Sequence, residues 1–296
     1  MKIDFKKKNI CITGGAGFIG SHLVSKLNRT GYDIVVIDNF TTGNPHYLAH
    51  HIYSRTPAID INSYDFEDLV ELCKGAEYIF HMAAYPSVQK SIECPIISAQ
   101  DTLSTVRMLE VARRIKAKFI FSSSCSVYGE PPKLKPLSPY AQSKNHGEQH
   151  CKMYQELYNL DIVCLRYYNV YGTRMSNTGA YRSVLSVFIE AMKENKKLNI
   201  VNDGEQKREF VHVDDVVCAN MQAMRYNCKG SEPHVFDVSS GIQHSINEIA
   251  DMFGGEKQYG ETRVEPKKIL KSSITHTKKF LQWEPSVNLA DWIKET

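Results

Sequence analysis

The chain has 296 residues, enough for one large domain or two small ones around a sizeable buried core. Hydrophobic residues make up 42% and charged residues 23%, with 17 Gly and 11 Pro, which excludes wholesale disorder, a collagen and a disulfide scaffold. Thirty-six basic against 33 acidic side chains leave a net charge of +3, without the clustered excess that nucleic-acid binding needs, and Lys6-Lys7-Lys8 reads as a solvated edge.

The first 165 residues alternate short β-rich apolar runs with longer stretches of helical period. Strands are predicted at 9–13, 33–37, 78–81, 118–122 and 162–165, with helices between them at 18–30, 64–74, 98–116 and 140–158. Such alternation implies an α/β fold in which a doubly wound parallel sheet is covered by helices on both faces. After Arg166 the rhythm loosens: 181–194 reads as a helix, 198–201 as a strand and 214–227 as a helix. A further helix begins at Ser245, where Glu248 completes a capping box. The expected organisation is a dinucleotide-binding domain over 1–165 and a smaller lobe over 166–296 that covers the substrate, with some segments returning to the first domain.

No stretch approaches the roughly 18 continuous apolar residues of a membrane span, and the N-terminal lysines pass straight into a strand-like run, so no membrane partner and a cytoplasmic location are expected. Eight cysteines are scattered singly with no CxxC pair, which speaks against a zinc site or a disulfide framework and for a reducing compartment. His146 and His150 would share a helix face, yet His-Gly-Glu-Gln-His is not the HExxH pattern, and no metal is predicted.

The first strand runs into Thr13-Gly14-Gly15-Ala16-Gly17-Phe18-Ile19-Gly20, a glycine-rich turn at the start of the first helix. Glycine there allows a tight turn and close approach of the backbone to a pyrophosphate, whose charge sits at the positive helix end. Asp38 follows Gly20 by 18 residues at the end of the second strand, placed to accept bonds from both ribose hydroxyls and to repel a 2′-phosphate; NAD is therefore favoured over NADP. Asp60-Ile61 is a candidate adenine contact, with a plain solvated turn as the alternative.

Tyr140-Ala141-Gln142-Ser143-Lys144 puts a phenol and an ammonium four residues apart on one helix face. Lys144 can stabilise the phenolate and bond the nicotinamide ribose, bringing Tyr140 toward the range of a general base. Ser122-Ser123-Ser124 closes the fourth strand beside this pair.

Taken in order, TGGAGFIGSH (13–22), DNF (38–40), HMAA (81–84), FSSSCSVYG (121–129), YAQSK (140–144), LRYYNVYG (165–172), DGEQKREFVHVDDV (203–216) and Trp283-Glu284-Pro285 closely resemble the extended short-chain dehydrogenase/reductase family, within it the nucleotide-sugar epimerases and dehydratases. The resemblance implies a Rossmann domain with bound NAD. Its cofactor contacts would come from Gly14, Gly17, Phe18, Ile19, Gly20, Asp38, Asn39, Phe40, Asp60, Ile61, Ala83, Ala84, Ser122, Tyr140, Lys144 and Tyr167. It implies that Ser124, Tyr140 and Lys144 are the catalytic residues, with Tyr140 taking the proton of the sugar 4-hydroxyl and Ser124 bonding the same oxygen. Asn169 and Arg208 would hold the substrate diphosphate, and Arg263 is a second candidate for which a surface arginine is the alternative. A homodimer pairing the helices at 98–116 and 140–158 is implied as well.

The reaction implied is 4-epimerisation of a UDP-hexose or UDP-N-acetylhexosamine through a transient 4-keto sugar. In the 4,6-dehydratases of the family an Asp-Glu pair follows the Ser/Thr position, and this chain carries Cys125 and Ser126 there. Cys125 leaves a dehydratase open, since a thiol can act as acid or base when tuned; a buried structural cysteine is the plainer reading. Reduction of a 4-keto sugar is a third possibility. Asp101, where the family usually has asparagine, and Tyr85, where smaller residues are common, border the sugar pocket.

Overall fold

The computed structural model describes residues 9–49, 58–129, 134–176, 182–228, 234–261 and 272–296. Its centre is a six-stranded sheet formed by β1 (Asn9–Thr13), β2 (Asp33–Ile37), β3 (Ala76–His81), β4 (Lys118–Ser124), β5 (Ile162–Tyr167) and β9 (Val235–Val238). The spatial order is β2-β1-β3-β4-β5-β9 and every pairing is parallel. The five strands expected from the apolar runs all form, and β9 adds a sixth from the C-terminal part of the chain.

Because successive side chains in a strand point to opposite faces, the sheet divides its apolar residues between two cores. On one face Ile10, Ile12, Val36 and Phe80 pack with α1 (Phe18–Arg29) and α7 (Val213–Arg225). On the other, Cys11, Ile79, Phe119 and Phe121 pack with α2 (Phe66–Leu72), α4 (Ile96–Ile115) and α5 (Pro139–Tyr158). The short α3 (Val88–Glu93) lies against α5. The helices begin where sequence chemistry places caps: Asp65 accepts from the N–H groups of Glu67 and Asp68, and Ser138 from that of Ala141, with Pro139 at the first helical position.

A third core belongs to the C-terminal part. β6 (Asn169–Tyr171), β8 (Lys207–His212) and β10 (Gln243–Ser245) form a sheet of their own, and β7 (Leu198–Val201) pairs with β11 (Lys257–Glu261). Phe188 of α6 (Val184–Lys193), Ile249 of α8 (Ile246–Phe253) and Ile293 of α10 (Leu289–Glu295) close over them. The capping box expected at Ser245 and Glu248 is present. After α9 (Ile274–Leu281) the chain buries Trp283 in the first core, its indole N–H donating to the Asp215 carbonyl at 2.9 Å.

Candidate active site

At the carboxyl ends of the parallel strands, where the order reverses between β1 and β3, lies a cavity of about 680 Å³. This is where an open α/β sheet offers a crevice to a ligand. Gly14, Gly17, Phe18, Ile19, Gly20, Asp38, Asn39, Asp60, Ile61, Ala83, Ala84, Ser122, Ser124, Tyr140, Lys144 and Tyr167 all line it. Motifs spread over more than half of the chain thus meet on one wall.

The glycine turn is held from below. Thr13 Oγ1 accepts from the Met82 and Ala83 N–H groups at 3.1 and 3.2 Å and lies 2.8 Å from Nδ1 of the buried His81. Gly14 has φ +69°, and a Cβ there would come within 2.7 Å of the Ala83 nitrogen, so only glycine fits. Among the described residues no side chain caps the N-terminus of α1, which leaves its first N–H groups to face the cavity. Asp38 accepts from Ala16 N at 2.9 Å on one oxygen and from Phe40 N at 2.8 Å on the other, keeping lone pairs on both for a ribose. Beside Asp60 and Ile61 the Asn62 Oδ1 is a buried acceptor without a partner among the described residues. A close-approach turn, an open helix N-terminus, a ribose-height carboxylate and a spare acceptor fit a dinucleotide from pyrophosphate to adenine.

At the other end α5 presents Tyr140 and Lys144 from successive turns, opposite the end of β4. The Lys144 ammonium donates to the Ser122 carbonyl at 2.7 Å and lies 5.1 Å from the centre of the Phe121 ring. Burial lowers the Lys144 pKa, and the Asp101 charge is the first of the groups that oppose this. Burial raises the Tyr140 phenol well above the ordinary tyrosine value, while a hydrogen bond with the Ser124 side chain pulls it down. The Tyr167 hydroxyl donates to Asn220 Oδ1 at 3.0 Å and lies 3.1 Å from Ser122 Oγ.

Four expected residues stand apart from this wall. Phe40, in the left-handed region at φ 56°, turns its ring to the first core. Cys125 opens the 3₁₀ turn Cys125–Tyr128 behind Ser124, where desolvation first and the Asp237 charge next push its thiol up to about 12. Asn169 of β6 donates from Nδ2 to the Glu209 carbonyl at 2.7 Å, and Arg208 of β8 donates to the Lys207 carbonyl at 2.9 Å. Arg263 lies outside the described residues.

The cavity also takes in Tyr85 and Asp101, expected at its border, and residues the sequence reading passed over as site members, among them Asn62, Gln100, Tyr168, Met175 and Ser183. Asn62 directly follows Asp60-Ile61, a signal that was available. Met175 and Ser183 come from the far side of β6 and carry no local signature.

Fold and cavity together define a dinucleotide-binding protein of the Rossmann class. Residues 10–239 match the model of the NAD dependent epimerase/dehydratase family, and the chain belongs to that family. It is 35% identical over 302 residues to the putative UDP-glucose 4-epimerase of Methanocaldococcus jannaschii, covering 96% of each chain. The crystal structure of UDP-glucose 4-epimerase with UDP-glucose from Thermotoga maritima superimposes with a TM-score of 0.88 at 33% identity, covering 97% of this chain and 96% of the other. UDP-glucuronic acid 4-epimerase from Bacillus cereus, in complex with UDP-glucuronic acid and NAD, gives 0.83 at 30% identity, over 97% and 96%.

Proposed function

We propose that this protein is a 4-epimerase of a UDP-hexose or UDP-N-acetylhexosamine that works through a transient 4-keto sugar. The observation that carries the reading is the meeting of Ser124, Tyr140 and Lys144 on one wall of a cavity whose other end is built for NAD. NAD, when bound, supplies the two-electron acceptor for C4. Gly14, Gly17 and the first turn of α1 would hold its pyrophosphate, Asp38 and Asn39 the adenosine ribose, Asp60 and Ile61 the adenine, and Lys144 the second ribose.

Tyr140 takes the proton of the sugar 4-hydroxyl and later returns it, and Ser124 hydrogen-bonds the same oxygen. Lys144 places a positive charge where a phenolate forms, offsetting the burial that otherwise disfavours that anion. Asn169 and Arg208 are the proposed diphosphate contacts at the substrate end. Inversion at C4 asks no acid or base of the chain beyond Tyr140. Cys125 is not among the residues that line the cavity, and this reading gives it no proton transfer.

Incubation with UDP-glucose or UDP-N-acetylglucosamine and catalytic NAD, followed by mass spectrometry and NMR, tests this directly. The expected product keeps its mass and inverts C4. Loss of one water would replace the reading with a dehydratase, and a need for stoichiometric reduced cofactor would replace it with a reductase. Tyr140→Phe is expected to lower kcat by about 10²–10⁴-fold while NAD stays bound, the range for loss of a general acid-base at a reacting hydroxyl.

The assembly proposed with this activity is a homodimer formed by the outer faces of α4 and α5, which expose Ile96, Leu103, Met153 and Leu157.

A further inference from the structure

The catalytic end of the cavity holds a buried carboxyl that the mechanism above does not use. Asp101, on the second turn of α4, is only 8% exposed, and both of its carboxylate oxygens face the Tyr85 N–H, at 3.3 and 3.2 Å. Its own carbonyl accepts from Thr105 Oγ1 and Ser104 Oγ at 2.9 Å, which fixes this turn of the helix.

The charges that face Asp101 come from few elements. From α5 they are Lys144, whose field favours the carboxylate, and Tyr140, which the carboxylate pushes toward its protonated form. From β3 it is His81, 3.2 Å from Thr105 Oγ1 and kept neutral by burial. β4 contributes the hydroxyls of Ser122 to Ser124. On α2 and α3, Glu67 pairs with Arg114 and Lys90 with Glu93, both at the surface. Asp101, Tyr140 and Lys144 line the same cavity, where Lys144 is the cation whose field favours a charged Asp101 and Asp101 is the anion that most supports a charged Lys144.

We propose that Asp101 is a positioning residue of this reaction, the counter-charge of the Tyr140–Lys144 pair, whose ionisation sets the pH range in which that pair exchanges protons with the sugar hydroxyl. The proposal rests on the epimerase reading. One negative charge removed from this enclosed site makes both Tyr140 and Lys144 release their protons more readily. The two limbs of the pH profile then move together, toward acid. A residue that only braced α4 would lower kcat and leave the profile in place.

The test is the pH profile of kcat/KM for the NAD-loaded enzyme with the UDP-sugar it turns over, for wild type, Asp101→Asn and Asp101→Glu. Asparagine keeps an oxygen for the Tyr85 N–H and removes the charge; its profile is expected to lie about one pH unit lower, a gain of about tenfold relative to wild type on the acid limb. Glutamate keeps the charge and is expected to restore the wild-type range. Asp101→Ser, which also retains an acceptor without charge, makes the same comparison if the asparagine variant does not fold. Profiles that coincide for charged and uncharged side chains would overturn the proposal. Titration of the Tyr140 phenol by ultraviolet absorbance, with Tyr140→Phe as the blank, gives a second readout independent of turnover. Wild-type protein that epimerises no UDP-sugar would sink the epimerase reading, and a phenol titration that still moves toward acid in Asp101→Asn would keep the charge coupling.

Discussion

Cys125 and Asp101 are single-residue departures from the family pattern, and their surroundings assign them opposite weights. Cys125 follows Ser124 in sequence but is not among the residues that line the cavity, and its thiol is pushed up to about 12. Cys125→Ala is therefore expected to leave kcat for epimerisation within about twofold, whereas a thiol that carried a proton in catalysis would cost about 10²-fold or more; steady-state kinetics on one UDP-sugar decides. Asp101 faces the cavity, and burial raises it to about 6 from its ordinary 3.8. The folded protein then binds a proton that the unfolded chain has released between those values, so this carboxyl subtracts stability as pH rises from about 4 to about 6. Asp101→Asn removes that loss. The stability of the variant relative to wild type is expected to grow between pH 4 and pH 7 by up to about 3 kcal/mol, read from urea midpoints. His81, held down at about 3 by burial, loses stability in the opposite direction as pH falls below 6.5, but it is common to both proteins and cancels. The sequence identified Asp101 as unusual; its burial and its coupling to Lys144 depend on α4 packing against α5, which no local pattern reveals.

Among the elements, the apolar strands and long helices of the first 165 residues were legible because each carries its own period, and the observed bounds differ from the expected ones by two residues or fewer. After Arg166 the strand expected at 198–201 forms as β7, and the other strands there were not legible. β8 reads Lys-Arg-Glu-Phe-Val-His, and its Glu209 is buried because distant hydroxyls, those of Ser239 and Ser272, donate to it. A buried carboxylate satisfied from 30 and 63 residues away leaves no trace in a local window. α5 holds the other lesson at this scale. Gly147, one turn beyond Lys144, looks like a helix weakness, yet a Cβ there would sit 2.4 Å from the Phe121 ring of β4. The missing side chain lets α5 lie close to the sheet and sets how far Tyr140 and Lys144 reach into the cavity. Gly147→Ala gains helix propensity of up to about 1 kcal/mol but overpacks a rigid contact costing about 1–3 kcal/mol. The expected net result is a destabilisation of about 1–2 kcal/mol with a several-fold loss of kcat. Unchanged urea midpoint and kcat would show that α5 tolerates the shift.

At the scale of the whole molecule the chain does not divide at one point into two successive halves. β9 joins the main sheet, α7 packs on α1, and Trp283 returns to the first core, so the C-terminal strands that border the substrate end are tied to the Rossmann sheet on both sides. Asp215 secures the last crossing by accepting from Ser286 N, Ser286 Oγ and Val287 N at 3.0, 2.7 and 3.1 Å. The Trp-Glu-Pro signature was legible as a motif, but its role as an anchor emerged only from the fold. The same packing decides what α4 and α5 have left to offer. Their inner faces are consumed by Met108, Leu109, Cys151 and Tyr154 in the second core, while Leu103 at 50% exposure and Leu157 at 66% face outward with Ile96 and Met153. Large apolar side chains on two adjacent helices form a surface that a second copy can cover by two-fold symmetry. Wild-type protein is expected to sediment as a dimer at micromolar concentration. Leu103→Glu combined with Met153→Glu puts like charges from both protomers into that interface and is expected to yield a folded monomer with native circular dichroism. A wild-type monomer, or a double variant that remains dimeric, would remove the α4–α5 surface from the assembly.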